Sequence, residues 1–170
     1  MDNLESDARS RLMARVRARD TRPEMIVRAI AHQLGYRFRL HDRRLPGTPD
    51  LVFPRLSAVI SVNGCFWHRH PSCRKASTPS TRQAFWNEKF ARNVRRDAET
   101  RRRLEADGWS VLVIWECETR ESKALAERMR SFLARREQRR PRDVTRRPDD
   151  KAANLSEPPI FECQAKYTLP

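Results

Sequence analysis

The chain has 170 residues, 38% of them hydrophobic and 34% charged, with a formal net charge of +14. That length suits one domain able to bury about 70% of its unfolded surface, and the basic excess points to nucleic acid, because each Lys or Arg set on a phosphate releases condensed counterions. Four cysteines do not make a disulfide scaffold, no run reaches the roughly 18 apolar residues of a membrane span, and no apolar signal segment opens the chain, so a cytoplasmic protein with reduced thiols is expected.

Residues 1–20 carry Leu4, Leu12, Met13 and Val16 among many charges, the pattern of an exposed helical arm. Thr21-Arg22-Pro23-Glu24 reads as a helix start, with a capping hydroxyl, an early proline and an acid at the positive dipole end. Ile26, Val27, Ile30 and Leu34 recur at helical spacing, and Gly35 supplies the stop. Tyr36 to Leu40 alternates as a half-buried strand. Leu45-Pro46-Gly47-Thr48-Pro49 is a stiff turn that delivers Asp50 to an apolar strand, Leu51-Val52-Phe53, and Ala58 to Val62 is the next strand.

After a loop rich in Cys and His, Ser80-Thr81-Arg82-Gln83 fits a capping box at the start of a long helix that runs to about Asp107 and ends at Gly108. Ser110 to Trp115 is the most hydrophobic run and is expected to be a central strand. A last helix covers about Ser122 to Glu137. Beyond Gln138 prolines accumulate, Arg and Asp cluster and apolar residues thin out, so residues 138–170 read as a flexible basic tail. Residues 21–137 then form an α/β domain, a small mixed sheet flanked by helices on both faces.

The chemistry concentrates in Gly64-Cys65-Phe66-Trp67-His68-Arg69-His70-Pro71-Ser72-Cys73. Cys65, His70 and Cys73, joined by Cys117 at the end of the last strand, make a candidate structural zinc site of three thiolates and one imidazole. The bland alternative is buried free thiols with a surface histidine, and His68 competes with Cys117 for the fourth place. Cys163, in the tail, reads as a free thiol. Asp50 heads a strand behind a proline-glycine turn, where a carboxylate serves either to cap the turn or to hold magnesium, a hard cation that needs only one or two carboxylates besides waters and phosphate oxygens. His68, with a side chain that titrates near neutrality, is the candidate base for phosphodiester hydrolysis. Phe66 and Trp67 read either as core or as a surface for a flat base, and Trp86 as either a stacking residue or part of a helix's apolar face. His32 and His41 receive no role.

Several motifs in one order carry a family resemblance. They are Arg-Leu-His-Asp-Arg-Arg-Leu-Pro-Gly-Thr-Pro-Asp50-Leu-Val, Asn63-Gly-Cys-Phe-Trp-His68-Arg-His70, Phe85-Trp86-Asn-Glu-Lys, Asn93-Val-Arg-Arg-Asp97, and Gly108-Trp-Ser-Val-Leu-Val-Ile-Trp-Glu-Cys117. From about Ser10 to Arg135 the chain resembles the very-short-patch repair (Vsr) endonucleases. The resemblance implies a PD-(D/E)xK restriction-endonuclease-like fold with a structural zinc. It implies magnesium-dependent nicking of one strand of double-stranded DNA, 5′ of the thymine in a T:G mismatch left by deamination of 5-methylcytosine. Asp50 would hold magnesium with the backbone carbonyl of Val62. His68 would activate water, and Glu24 and Asp97 would hold waters of the metal. Cys65, His70, Cys73 and Cys117 would bind zinc. Phe66, Trp67 and Trp86 would wedge into the duplex, with Met13 entering from the minor groove. A monomer acting at the nucleoid is expected, with mismatch-repair proteins as candidate assistants. A restriction-type endonuclease without a mismatch requirement, or a non-catalytic zinc-stabilised DNA-binding module, are the competing functions.

Three positions depart from the family's usual pattern. Val62 stands where threonine is common, and Asn63 where histidine can occur. The step from His70 to Cys73 is three residues where two is usual.

Overall fold

The computed structural model describes residues 19–138, all within one compact unit. The arm expected to contact DNA, with Met13, and the expected tail beyond Gln138, with Cys163, therefore lie outside the described residues, apart from Arg19, Asp20 and Gln138.

Helix α1 spans Arg22–Gln33. The Thr21 hydroxyl donates to Glu24 Oε1 at 2.8 Å, and the Thr21 N–H reaches the same oxygen at 3.4 Å. The helix closes before Gly35, whose φ of +83° suits a residue without Cβ. The strands are β1 (Arg39–Leu40), β2 (Leu51–Phe53), β3 (Ala58–Asn63) and β4 (Ser110–Trp115). They lie in the order β1-β2-β3-β4, antiparallel up to β3 and parallel between β3 and β4. Helix α2 (Gln83–Ala106) leads into β4, and α3 (Ser122–Gln138) follows it.

Three expectations change. The strand from Tyr36 shrinks to two residues. With Arg39 opposite Val52, residues 36 and 37 would have to pair with residues 55 and 54, and there Pro54–Leu56 already turns into a short 3-10 helix. No capping box opens α2. Arg82 precedes it in the left-handed region at φ 52°, and its guanidinium lies over the Phe85 ring, 5.0 Å from the centroid. The hydrophobic strand β4 is not central either, since among the described residues it pairs with β3 alone. Its apolar composition answers to helices on both faces: Leu112 and Ile114 enter one core and Val111 the other. Arg128 of α3 donates to the Val113 carbonyl at 3.0 Å, a side-chain partner where no further described strand offers one.

Strand alternation divides the core. Leu51, Phe53, Ala58, Ile60, Leu112 and Ile114 face α1 and α3, meeting Val27, Ile30, Met129 and Leu133. Each such fully buried side chain contributes roughly 1.5–3 kcal/mol relative to exposure. Val52 and Val59 face the other way, toward Leu104 of α2. That second core is small, and the rest of this face stays open between the sheet and α2.

The turn before β2 is held against α2. Gly47 has φ +71°, and a Cβ built on it would stand 2.2 Å from Thr100 Cγ2. Gly47→Ala meets both a disfavoured backbone region and a short, branched obstacle. Chemical denaturation should show a loss of about 1–3 kcal/mol, and the turn that carries Asp50 should be pushed away from α2.

Candidate active site

The open part of the α2-facing side of the sheet is a cleft of about 890 Å³ whose lining includes Glu24, Asp50, Asn63, Trp67, His68 and Asp97. Strand parity explains the placement. Asp50 shares a face with Val52, and Ser61 and Asn63 share one with Val59, so the residues that continue the small second core are polar and line the cleft. Asp50 Oδ2 accepts the Val62 N–H at 2.7 Å. Since β2 begins only at Leu51, the carboxylate takes up a backbone donor beyond the last residue of the β2–β3 ladder. Burial pushes the Asp50 carboxyl above the usual range. The Val62 N–H opposes that, the nearby Glu24 charge adds to it, and His41 and Arg28 work against it. A buried carboxylate beside a second acid lowers its energy by binding a cation.

His68 Nδ1 lies 2.5 Å from Asp97 Oδ2, which comes from the middle of α2. The loop bearing His68 is fixed locally by the His68 N–H to the Gly64 carbonyl, 3.1 Å, and by Asn93 Nδ2 donating to the Trp67 carbonyl, 3.0 Å. Glu24 is buried at the start of α1. It accepts from the Asp20 N–H and from Arg28 Nη2, both at 3.0 Å. The fold therefore brings Glu24, Asp50, His68 and Asp97 to one cleft from four separate segments.

Cys65, His70, Cys73 and Cys117 converge apart from these acids, with their donor atoms all within 4.8 Å of one another. His70 Nδ1 is 3.7 Å from Cys65 Sγ and 3.3 Å from Cys117 Sγ. A tetrahedron with metal–sulfur bonds of about 2.3 Å and metal–nitrogen bonds of about 2.1 Å has edges of roughly 3.6–3.8 Å. The Cys65–His70 pair stands at that spacing, the Cys117–His70 pair is slightly closer, and all four donors lie within 4.8 Å, so small shifts would fit the group to a closed tetrahedral metal. Left-handed turns at Arg69 and Ser72, both with φ 56°, and the Cys73 N–H to the His70 carbonyl at 3.3 Å fold the three-residue step back on itself. The His70 ring stacks on Trp115, centroids 4.3 Å apart. Burial drives the Cys65 thiol up to about 12, whereas the Lys75 backbone N–H draws Cys73 down.

Phe66 and Trp67 are half-buried and belong to an edge-to-face cluster. Phe66 lies 5.0 Å from Trp67, 5.5 Å from Trp86 and 5.1 Å from Phe90. Trp86 is only 6% exposed, while its neighbour Phe85 is 43% exposed. Lys89 Nζ sits 5.2 Å above the Trp67 ring. Phe85 stands in a motif quoted above, but nothing in its spacing distinguished it from Trp86. Sequence reasoning also passed over His41, which the fold sets between Glu24 and Asp50, and Arg28, which bonds both Glu24 and His41. Neither carries a local motif, and their meeting depends on α1 reaching the residue just after β1.

Comparison with known proteins gives the family. The model of the DNA mismatch endonuclease Vsr family matches residues 1–75. The chain is 46% identical over 132 residues to the Type II nicking enzyme V.XorIIP of Xanthomonas oryzae pv. oryzae, covering 78% of this chain and 96% of that one. It is 36% identical over 132 residues to the Type II nicking enzyme V.NmeAIP of Neisseria meningitidis, covering 78% and 94%. It is 39% identical over 130 residues to the DNA mismatch endonuclease Vsr of Escherichia coli, covering 74% and 83%. With this similarity running through most of both chains, the protein belongs to the Vsr family of DNA mismatch endonucleases, strand-nicking hydrolases that act on DNA.

Proposed function

We propose that the protein nicks one strand of duplex DNA 5′ of the thymine of a T:G mismatch, using magnesium at Asp50 and zinc at the Cys65–His70–Cys73–Cys117 cluster, on a PD-(D/E)xK-like core preceded by an arm over residues 1–20. The observation that carries the reading is the meeting of Asp50 and the His68–Asp97 pair in one cleft beside an aromatic cluster.

Bound magnesium would supply a Lewis acid that polarises the scissile phosphate and a nearby water. Asp50 would hold it, with the Val62 carbonyl beside that carboxylate as second protein ligand. Asp97 accepts the His68 Nδ1 proton, which leaves Nε2 with a free lone pair to take a proton from the attacking water. This contact gives Asp97 an orienting role more direct than holding solvent. Glu24 would keep a negative charge near the metal and hold solvent there. Zinc would lock the loop that carries His68, since Cys65 and His70 flank it. Phe66 and Trp67 would enter the duplex, backed by Trp86 and Phe90. Inserting an apolar wedge costs a few kcal/mol per base step and least at a mismatch, which makes the wedge a source of selectivity.

Asp97→Asn keeps the shape but lets His68 settle in the wrong tautomer. Single-turnover nicking should slow by about 10²–10⁴-fold with little change in DNA affinity. The function itself is tested with otherwise identical T:G and T:A duplexes, with and without magnesium. Nicking confined to T:G with magnesium supports the proposal. Equal cutting of both duplexes would favour a restriction-type endonuclease, and no cutting under any metal a non-catalytic binding module.

A further inference from the structure

His41 lines the cleft and has no part in the chemistry above. His41 follows directly on β1. Its backbone is left-handed, φ 47°, a conformation disfavoured for residues with a Cβ that persists where the surroundings impose it. The ring is 15% exposed and lies between the two acids, Nε2 3.8 Å from Glu24 Oε2 and Nδ1 3.8 Å from Asp50 Oδ1.

The orientation of this ring follows from Arg28. Arg28 Nη2 is 3.0 Å from His41 Nε2 and 3.0 Å from Glu24 Oε2, while Nη1 is 2.6 Å from Asp20 Oδ1. A guanidinium has donors only. His41 Nε2 must therefore accept, and the ring proton sits on Nδ1, the atom that faces Asp50. Asp50 has its other oxygen on the Val62 N–H at 2.7 Å, so its two oxygens face two different donors, one in a hydrogen bond and one 3.8 Å away, which together favour one rotation of the carboxylate. The donor atoms of Asp20, Glu24 and His41 also lie close enough together to suggest a cation site. The Arg28 guanidinium, within 3.0 Å of all three residues, already fills that place.

We propose that His41 is a positioning residue: oriented by Arg28, it fixes the rotation of the Asp50 carboxylate and so raises the affinity of the cleft for a divalent cation. The proposal rests on Asp50 being a metal ligand. Partners that orient a metal-binding group in this way typically contribute 10–100-fold in affinity.

The test uses Mn²⁺ as probe, titrated into the full-length, zinc-loaded protein, with free ion read by electron paramagnetic resonance. His41→Gly, which suits the left-handed backbone, should bind Mn²⁺ at least about 10-fold more weakly. It should need proportionally more Mg²⁺ for half-maximal nicking, yet nick near the parental rate at saturation. His41→Asn tolerates the same backbone and places an N–H where the ring has Nδ1, so it should recover most of the affinity. A melting temperature at or above that of the parent for His41→Gly separates this from unfolding. Parental Mn²⁺ affinity in His41→Gly, or no recovery in His41→Asn, would overturn the proposal. Asp50→Asn is run beside them. If it binds Mn²⁺ like the parent, the Asp50 reading fails whatever His41 does; if it loses binding while His41→Gly keeps it, only the role of His41 fails.

Discussion

Replacing Asp50 by asparagine should abolish nicking and yield a metal-free protein that melts higher than the parent. Activity falls because a neutral amide holds magnesium poorly, and losing a Lewis acid worth several kcal/mol slows the reaction by about 10³–10⁴-fold or more. Stability rises because the fold disfavours the charge it uses. Burial raises the Asp50 carboxyl above its unfolded value, and Glu24 adds to the effect. The sign follows from linkage. A carboxylate held more protonated in the fold than in the unfolded chain costs stability above its folded value, and the cost vanishes as pH falls below the unfolded value near 3.9. Without magnesium at pH 7, Asp50→Asn should therefore gain about 0.5–2 kcal/mol, the usual scale of a single stabilising substitution. Its amide oxygen can still accept the Val62 N–H. Near pH 3 the gain should disappear, and magnesium should stabilise the parent alone. Thermal melts at two pH values with and without magnesium check all of this. A lower melting temperature for Asp50→Asn at pH 7 would mean that the carboxylate serves the fold rather than a cation.

Cys117→Ser, or extraction of zinc by a strong chelator, should produce the second large loss. Cys117 lies just beyond β4, in the turn Glu116–Arg120, whereas its partners lie in the loop after β3. One ligand set therefore joins Cys73 to Cys117, 44 positions further on, where a clip contributes most against loop-closure entropy. Structural zinc sites hold their metal by roughly 10–16 kcal/mol at neutral pH, and that energy is folding energy for the segment they organise. Loss of the metal should free the loop between Cys65 and Cys73 and displace His68 from Asp97. Nicking should fall to background and return on adding zinc, not magnesium.

The thiols give this a pH signature. Burial holds Cys65 protonated up to about 12 in the metal-free protein, so zinc must displace its proton, and apparent zinc affinity should climb with pH. By the same linkage the metal-free fold is favoured while Cys65 keeps its proton. It should lose that advantage as pH rises from the unfolded value near 8.5 toward about 12. Zinc affinity that does not vary with pH would argue against thiolate ligation.

The difference between what was legible and what was not can be traced residue by residue. Cys65, His70, Cys73 and Cys117 were readable as a metal group because soft ligands at short spacing have few other uses in a chain without disulfides. The helix from Arg22 and strands β2 to β4 were readable because apolar residues recur with the period of each element. The strand at Tyr36 was overestimated because its length depends on a partner, and β2 is only three residues long. The supposed capping box before α2 failed because sequence shows which residue can cap, not how the preceding loop arrives. Trp86, which pattern left equally open to core and wedge, lies mostly buried behind Phe66 in the protein without DNA.

By itself, then, the sequence determined the α/β class, the mixed sheet and the family, and it singled out Cys65, His70 and Cys73 as a group that could hold a metal, since all of these rest on local periodicity, ligand chemistry or motif order. Tertiary structure alone decided that β4 lies at an end of the described sheet, that Asp97 pairs with His68, and that His41, held by Arg28, stands between Glu24 and Asp50. Each of these is a contact between segments that pattern reads separately. Their meeting is set by strand order, by the angle at which helices cross the sheet, and by left-handed turns such as the one at His41, and these are products of packing that one segment's chemistry does not specify.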